Sequence, residues 1–206
     1  MVLGGGRSRR MGRDKMGVLL DGRPLLRRTV DAALSWAEHV VVVAPEPEGW
    51  EPDLRVSFTL EDPPFGGPVA GIAAAVAVLV TDKCGQNEIP AESASRNADR
   101  RTFPSVQALL LAGDLAAPQA VVRQLDAAEP GPDGVVLRDE DGWPQYLAGR
   151  YRLGALVSAV EALGGTRDVS VRRALSGLDL AQVDAPSAVT KDLDTPEDLA
   201  EVAEAR

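Results

Sequence analysis

Short apolar runs alternate with amphipathic segments along most of this chain. The runs at 1–3, 40–43 and 106–112 are almost entirely aliphatic, which is typical of strands buried on both faces of a sheet. From Pro24, aliphatic residues recur at the three- and four-residue spacing of a helix that packs one face on a core. By the same criteria we predict strands at 18–20, 56–60, 134–138, 145–151 and 181–183, and helices at 69–80, 118–128, 153–163 and after Thr195.

This alternation of strands and helices predicts the α/β fold class, with a mostly parallel sheet and helices on both faces. The chain has 206 residues, a length typical of one domain, and we predict a single domain over 1–206. Segment 81–105 interrupts the pattern, because it is polar and has almost no aliphatic periodicity. It is predicted to be a surface loop inserted into the fold.

Composition excludes several classes of protein. The formal net charge is −9, whereas a nucleic-acid binder needs many spare cations to neutralise phosphates. One cysteine and one histidine cannot form an internal disulfide or a Cys/His metal cluster, and this usage fits a reducing cytoplasm. The longest apolar run, 69–80, is shorter than the roughly 20 residues of a membrane span, and the first residues do not resemble a secretory signal. We expect a cytoplasmic protein without membrane or nucleic-acid partners.

A glycine- and arginine-rich segment follows the first predicted strand. Residues 3–15 read LGGGRSRRMGRDK and place four arginines and Lys15 in an otherwise acidic chain. Glycines after a buried strand let backbone N–H groups approach an anion, and ligands of open α/β sheets bind at the carboxyl ends of strands. Arg9 stands where a dinucleotide-binding fingerprint needs glycine, and the chain has no P-loop sequence. The segment predicts a polyphosphate site, with a solvated basic turn as the simpler alternative.

Four further segments extend this pattern. In order, they are GRPLL at 22–26, ED at 61–62 followed by GPVAG at 67–71, Asp114 after a predicted strand, and DLDTPEDL at 192–199. With residues 3–15, they resemble the motifs of the molybdenum cofactor guanylyltransferases over nearly the whole chain. Position 4 is glycine where the family usually has alanine, and the segment around Asp114 lacks the family's usual cysteine and proline. The resemblance implies a Rossmann-like fold of the nucleotide-diphospho-sugar transferase type.

The resemblance also implies a reaction. In that family, GMP is transferred from GTP to the terminal phosphate of Mo-molybdopterin, which releases pyrophosphate and forms the guanine dinucleotide cofactor. GTP and Mo-molybdopterin would be the substrates and Mg²⁺ the cofactor. Transient contacts with molybdenum-insertion and molybdoenzyme-maturation proteins would be expected.

Residue roles for the nucleotide follow from the resemblance by position. Lys15 would hold the triphosphate with help from Arg10 and Arg13, and Asp62 would contact the guanine nucleoside. Asp62 could instead be a turn residue before Pro63. The backbone that cradles the nucleotide would be formed by Leu3, Gly4, Gly5 and Gly6.

Three more residues receive roles for the metal and the second substrate. By the resemblance, Asp114 would bind both Mg²⁺ and the nucleotide, with Asp194 as a second metal ligand, and Arg167 would lie near the pterin phosphate. Each has a simpler interpretation. Asp114 could cap the following helix, Asp194 could be a helix-terminal charge, and Arg167 could be solvated.

Two alternative functions stay open at this point. A cytidylyltransferase that uses CTP on the same cofactor is the nearest alternative within the enzyme class. A nucleotide-binding homologue without catalysis is the alternative outside it, because the segment around Asp114 departs from the family pattern.

Overall fold

Seven strands form the central sheet of the structure, a computed structural model that describes residues 1–5, 15–86 and 106–204. A separate hairpin is formed by β2 and β3. The strands are β1 (Val2–Leu3), β2 (Leu19–Leu20), β3 (Arg23–Pro24), β4 (Val40–Val43), β5 (Val56–Thr59), β6 (Gln107–Ala112), β7 (Gly134–Arg138), β8 (Pro144–Arg152) and β9 (Leu180–Asp184).

The order of strands across the sheet is β5-β4-β1-β6-β8-β7-β9. In the part of the chain that the structure describes, β8 is the one strand that runs against its neighbours, so the predicted mostly parallel sheet is confirmed. The chain passes from β1 outward to β4 and β5 and then returns to β6 on the other side of β1. The direction of winding therefore reverses between β1 and β6, and open α/β sheets bind ligands in the crevice at such a point.

Helices cover both faces of the sheet, as predicted. The first face carries α1 (Leu25–Leu34) and α3 (Pro118–Ala127), and the second carries α2 (Pro68–Gln86), α4 (Leu153–Glu161) and α5 (Val171–Leu175). Successive strand side chains point to opposite faces, so Val42 of β4 packs in the core under α1 while Val43 packs in the core under α2. Burial on both faces explains why β4 is entirely aliphatic.

A third, smaller core joins the C-terminal segment to the residues that follow Lys15. After α6 (Ser187–Thr190), the chain continues through Leu193 into α7 (Pro196–Glu204). Leu193 is fully buried with Leu20 and Leu25, and Leu199 of α7 packs against them. This contact holds the 192–195 segment near the carboxyl end of the sheet.

The prediction of a loop at 81–105 is wrong for its first six residues, 81–86. Helix α2 continues to Gln86, and the Thr81 hydroxyl donates a hydrogen bond to the Ala77 carbonyl (2.9 Å). The loss of aliphatic periodicity after Val80 therefore does not mark the end of the helix. Residues 87–105 lie outside the described residues, and the single domain over 1–206 stays a prediction.

Candidate active site

A cavity of about 580 Å³ lies at the carboxyl ends of the strands on both sides of the β1–β6 crevice. Five consecutive neighbours in the sheet contribute to its wall, from Glu61 after β5 to Leu147 of β8. The other lining residues are Leu3, Gly5, Met16, Val43, Phe65, Gly67, Pro68, Gly71, Ala112, Asp114, Arg167, Asp168 and Asp192. The cavity therefore occupies the position that the topology favours for a ligand.

Two glycines allow the turns after β1 and β6 to approach each other closely. The Gly4 N–H donates to the Val43 carbonyl (3.1 Å), and the Gly113 N–H donates to the Leu3 carbonyl (2.9 Å). A Cβ atom on Gly113 would lie 3.0 Å from the Leu3 oxygen and 3.2 Å from the Gly4 Cα. A side chain at 113 would push apart the turn that carries Gly5 and the turn that carries Asp114.

Lys15 brings two distant carboxylates together. Its side chain is buried, and its Nζ pairs with Asp114 and with Asp194, the latter at 2.5 Å. Burial alone would lower the pKa of Lys15, but the hydrogen bonds to Asp114 and Asp194 and their charges outweigh it, so the pKa is raised. The ammonium is therefore held in its charged form beside the cavity.

Backbone pairing holds the segment that carries Asp194 beside Asp114. Leu115 and Asp192 form an isolated antiparallel bridge, and the Leu193 N–H donates to the Asp114 carbonyl (3.1 Å). The pairing brings the 192–194 segment directly against the residues that follow β6. Two acids that are far apart in sequence thereby share one edge of the sheet.

A capping box at the start of α7 secures this segment. The Asp198 N–H donates to the Thr195 hydroxyl oxygen (3.2 Å), while the Asp198 carboxylate accepts from the Thr195 N–H (2.8 Å) and the Asp194 N–H (3.1 Å). Hydrogen bonds from Thr195, and then from Lys191, lower the pKa of Asp198 to about 2. The helix predicted after Thr195 is confirmed, and its Thr195–Asp198 hydrogen bonds orient the backbone that carries Asp194.

Asp192 adds a third carboxylate to the cavity wall. Desolvation by the surrounding protein and the charge of Asp114 raise the pKa of Asp192, against the opposing charge of Lys15. The residue as a whole is exposed, and it lines the cavity. The raised pKa favours the neutral form of Asp192, so this carboxyl group adds less negative charge to the cavity than its residue type suggests.

Two buried polar residues of α1 hold the turn that carries Asp114. The Thr29 hydroxyl donates to the Gly113 carbonyl (3.2 Å), and the Arg28 guanidinium donates to the Ala116 carbonyl (3.1 Å). Sequence analysis did not identify this pair. The available signal was that Arg28 follows Leu25 by three residues and so shares the buried face of the helix.

The structure places four of the predicted site residues in the cavity wall, and Lys15 and Asp194 lie beside Asp114. Leu3, Gly5, Asp114 and Arg167 line the cavity, and Arg167 lies 3.7 Å from Asp168 in an ion pair. The capping role for Asp114 is excluded, because the N-cap of α3 is Ala117 and no side chain caps that helix.

Two further predicted residues, Gly4 and Asp62, do not line the cavity. Gly4 supports the turn through its hydrogen bond to Val43 instead of lining the cavity. Asp62 is exposed and does not line the cavity, whereas the preceding residue, Glu61, does. Gly6, Arg10 and Arg13 lie outside the described residues. A contact between Asp62 and a nucleoside stays a prediction.

No helix in the described ranges is both long and apolar enough to cross a membrane.

Comparison with solved structures relates the whole fold to known proteins. Molybdopterin-guanine dinucleotide biosynthesis protein A from Archaeoglobus fulgidus superposes with a TM-score of 0.60 at 21% identity, covering 99% of this chain and 96% of that one. The 2-C-methyl-D-erythritol 4-phosphate cytidylyltransferase from Thermus thermophilus superposes with a TM-score of 0.52 at 18% identity, covering 99% and 96%. At these identities, the likeness shows the fold.

Sequence comparison relates part of the chain to curated proteins. The probable molybdenum cofactor guanylyltransferase of Synechococcus elongatus is 37% identical over 86 residues, which are 40% of this chain and 44% of that protein. The molybdenum cofactor guanylyltransferase of Rhizobium johnstonii is 43% identical over 76 residues, 37% of this chain and 34% of that protein. The matched regions thus span less than half the length of these relatives.

The sequence model of the MobA-like NTP transferase domain matches residues 1–183. The chain belongs to the family of MobA-like NTP transferase domains.

Proposed function

We propose that this chain transfers GMP from GTP to the terminal phosphate of Mo-molybdopterin, giving the guanine dinucleotide cofactor and pyrophosphate. The observation that carries the proposal is the buried Lys15 ammonium bracketed by Asp114 and Asp194, beside the Gly4–Gly5 turn and the cavity at the β1–β6 crevice. Family membership and the names of two relatives support the same reaction.

The chemistry requires charge neutralisation more than covalent help from the protein. An oxygen of the pterin's terminal phosphate forms a bond to the α-phosphorus of GTP. The bond from that phosphorus to the bridging oxygen of the β-phosphate breaks, and pyrophosphate leaves with the electron pair. In this proposal, Lys15 holds the triphosphate and stabilises the negative charge that builds up on the leaving group.

The carboxylates fit a divalent cation. Asp114 and Asp194 both contact the same Lys15 nitrogen, so their oxygens converge on a single cationic position. Among the described residues there is no preformed group of three or more acidic, His or Cys ligands. Mg²⁺ commonly binds through one or two carboxylates plus substrate phosphates and water, which this pair matches. Bound there, the ion would polarise the phosphate oxygens of the nucleotide.

The remaining roles are proposals of the same kind. Arg167 lines the cavity and is more than half exposed, so it is available to the pterin phosphate. Arg10 and Gly6 are assigned to the triphosphate, and Asp62 to the nucleoside, on the resemblance alone. Contacts with molybdenum-insertion and molybdoenzyme-maturation proteins, and a cytoplasmic location, are further proposals.

The test is release of pyrophosphate. The purified protein is incubated with Mg²⁺, Mo-molybdopterin and either GTP or CTP, with reactions that lack the pterin as controls. We expect release with GTP only. Release with CTP alone would establish the cytidylyltransferase instead. Binding of GTP without release would favour the non-catalytic homologue.

A further inference from the structure

The two ends of the cavity differ in chemistry. One end carries Asp114 and Asp192 beside Lys15, a setting for a cation and phosphates. The other end is formed by the loop after β5, where Phe65 and Pro68 line the wall and Glu61 contributes one carboxylate. Asp62, the neighbour of Glu61, does not line the cavity.

Strand order sets the distance between these ends. Glu61 follows β5 and Asp114 follows β6, and β4 and β1 lie between them in the sheet. Three strand spacings of about 4.8 Å give roughly 14 Å along the sheet edge. That distance suits an extended nucleoside triphosphate, with phosphates at the Lys15 end and the base at the Glu61 end. In the reverse orientation, the phosphates would meet the Glu61 carboxylate without the Lys15 ammonium and the proposed Mg²⁺ that accompany the carboxylates at the other end.

Glu61 is held in place by its own loop. Its Oε1 accepts a hydrogen bond from the Phe65 N–H (3.1 Å), and its side chain is half-buried. A carboxylate offers about four lone-pair positions on two oxygens, so this one bond leaves most of its acceptor capacity for a ligand.

Phe65 has an unusual backbone conformation at the mouth of the cavity. Its φ angle is +62°, in the left-handed region that non-glycine residues rarely adopt, and the residue is 58% exposed. Such strain concentrates at ligand-binding sites, where the surrounding structure maintains it. The hydrogen bond from the Phe65 N–H to Glu61 is one such constraint, and it holds the residue with the aromatic ring close to the carboxylate.

We propose that Glu61 accepts the N1–H and the 2-amino group of guanine while Phe65 stacks on the base. The inference rests on the proposed function and names the residues that select its nucleotide. Guanine presents two adjacent donors that match a carboxylate. Cytosine presents one amino donor beside the N3 and O2 acceptors, which a carboxylate repels.

Nucleotide analogues test this without any substitution. Affinities for GTP, inosine triphosphate, 1-methylguanosine triphosphate and CTP are measured by calorimetry with Mg²⁺ and without the pterin. Inosine triphosphate lacks the 2-amino group, and the methylated analogue lacks N1–H. Each is expected to bind about tenfold or more weakly than GTP, because each loses one of the paired hydrogen bonds. Equal affinities for all three purine nucleotides would overturn the proposal even if GMP transfer occurs.

Two variants then locate the selectivity. Glu61→Gln is expected to weaken GTP binding about ten- to a hundredfold and to bring the affinity ratio of GTP to inosine triphosphate close to one. Phe65→Leu is expected to weaken both nucleotides about equally, by roughly five- to a hundredfold, because stacking does not distinguish them. Glu38→Gln, an exposed substitution at the opposite end of the sheet, is the matched control and should change neither value.

The outcomes separate the inference from the proposed function. An unchanged ratio in Glu61→Gln, with wild-type selectivity for GTP, would overturn the role of Glu61 and leave the reaction intact. No binding of any nucleotide by the wild type would overturn both. A general loss of affinity in Glu61→Gln with the ratio preserved would show that Glu61 only supports its loop.

Discussion

The two ends of the central sheet hold cavities of similar size and different chemistry. The cavity at the carboxyl ends of the strands measures about 580 Å³, and the one at the amino ends about 670 Å³. The amino-end cavity is lined mostly by strand starts and apolar side chains, and its Arg55 is already paired with Asp53 at 2.8 Å. At the carboxyl end, Lys15, Asp114 and Asp194 converge on one point.

Because the two cavities are similar in volume, cavity volume alone does not identify the ligand site. The carboxyl end is distinctive because turns from several strands meet there, and their glycines and charges are brought together by the reversal of winding between β1 and β6. Substitutions at the two ends should therefore differ sharply in their effect on activity, even where they remove the same charge.

The largest contrast is expected for Asp114→Asn. This variant removes a carboxylate charge that opposes Lys15 and is proposed to bind the metal, so GMP transfer should fall by about two to three orders of magnitude. Initial rates over a Mg²⁺ titration measure the effect. Glu38→Gln at the amino end removes an equivalent charge and should retain wild-type rates. A wild-type Mg²⁺ dependence in Asp114→Asn would remove Asp114 from the metal site.

Lys15→Met should have the next largest effect. We expect kcat/KM for GTP to fall about a hundredfold, because the triphosphate loses its buried counter-charge. Without Mg²⁺, the variant should also lose about 1–3 kcal/mol of unfolding free energy, since Asp114 and Asp194 then face each other without a cation. Added Mg²⁺ should restore part of that loss in urea denaturation.

Lys191→Met is the matched control for Lys15, because Lys191 pairs with Asp198 and Glu201 away from the cavity. It should keep its activity. If Mg²⁺ stabilises the wild type and Lys15→Met to the same extent, then Lys15 does not occupy the cation position.

A smaller effect, on stability, is expected for Gly113→Ala. Its Cβ would lie 2.9 Å from the Met16 sulfur and 3.0 Å from the Leu3 oxygen, closer than real Cβ atoms normally approach. The strain should cost about 2 kcal/mol of unfolding free energy. Gly177→Ala, where a Cβ would meet no atom within 4 Å, is the control and should be nearly neutral. Equal stabilities would mean that the turns after β1 and β6 can separate freely.

The smallest expected effect concerns the cap that supports Asp194. Asp198 has a pKa of about 2 in the folded protein and about 3.9 when unfolded, so its stabilisation is complete above about pH 4 and is lost as the pH falls toward 2. Asp198→Asn should cost about 1 kcal/mol at neutral pH and flatten the pH dependence of stability below pH 4. Urea denaturation at several pH values measures both, and Glu197→Gln is the neighbouring control. If the unfolding free energies of the wild type and Asp198→Asn fall in parallel below pH 4, the capping role of Asp198 is contradicted.

The elements that sequence predicted best are those in which one physical signal dominates. β4 and β7 were predicted with their observed bounds, because the buried residues of an interior strand are apolar or small, and only Arg138 at the end of β7 departs from this pattern. Helices α5 and α6 were not predicted, since five and four residues are too few to show a period. The end of α2 was placed too early, because residues 81–86 lack the apolar periodicity by which a helix is recognised in a sequence.

The site was predictable only in part, for a different reason. The glycine turn at Gly4 and Gly5 follows a strand directly, so local sequence identifies it. That Asp114 and Asp194 meet depends on the pairing of Leu115 with Asp192, which no local pattern encodes. The choice between Glu61 and Asp62 at the cavity depends on the path of one loop, and adjacent acids in the sequence do not distinguish it.

The reversed direction of β8 has a consequence for how this enzyme family can diversify. Because β8 runs against β6, its beginning lies at the carboxyl edge, and Leu147 there lines the cavity. The turn before it carries the exposed Trp143, over which Arg172 of α5 is placed at 5.0 Å from the ring centroid. This turn can change in length or sequence without moving β1 and β6, whose ends carry the residues proposed for the nucleotide. The wall of the cavity on the β8 side is therefore formed by a segment that is remote in sequence from the turns after β1 and β6.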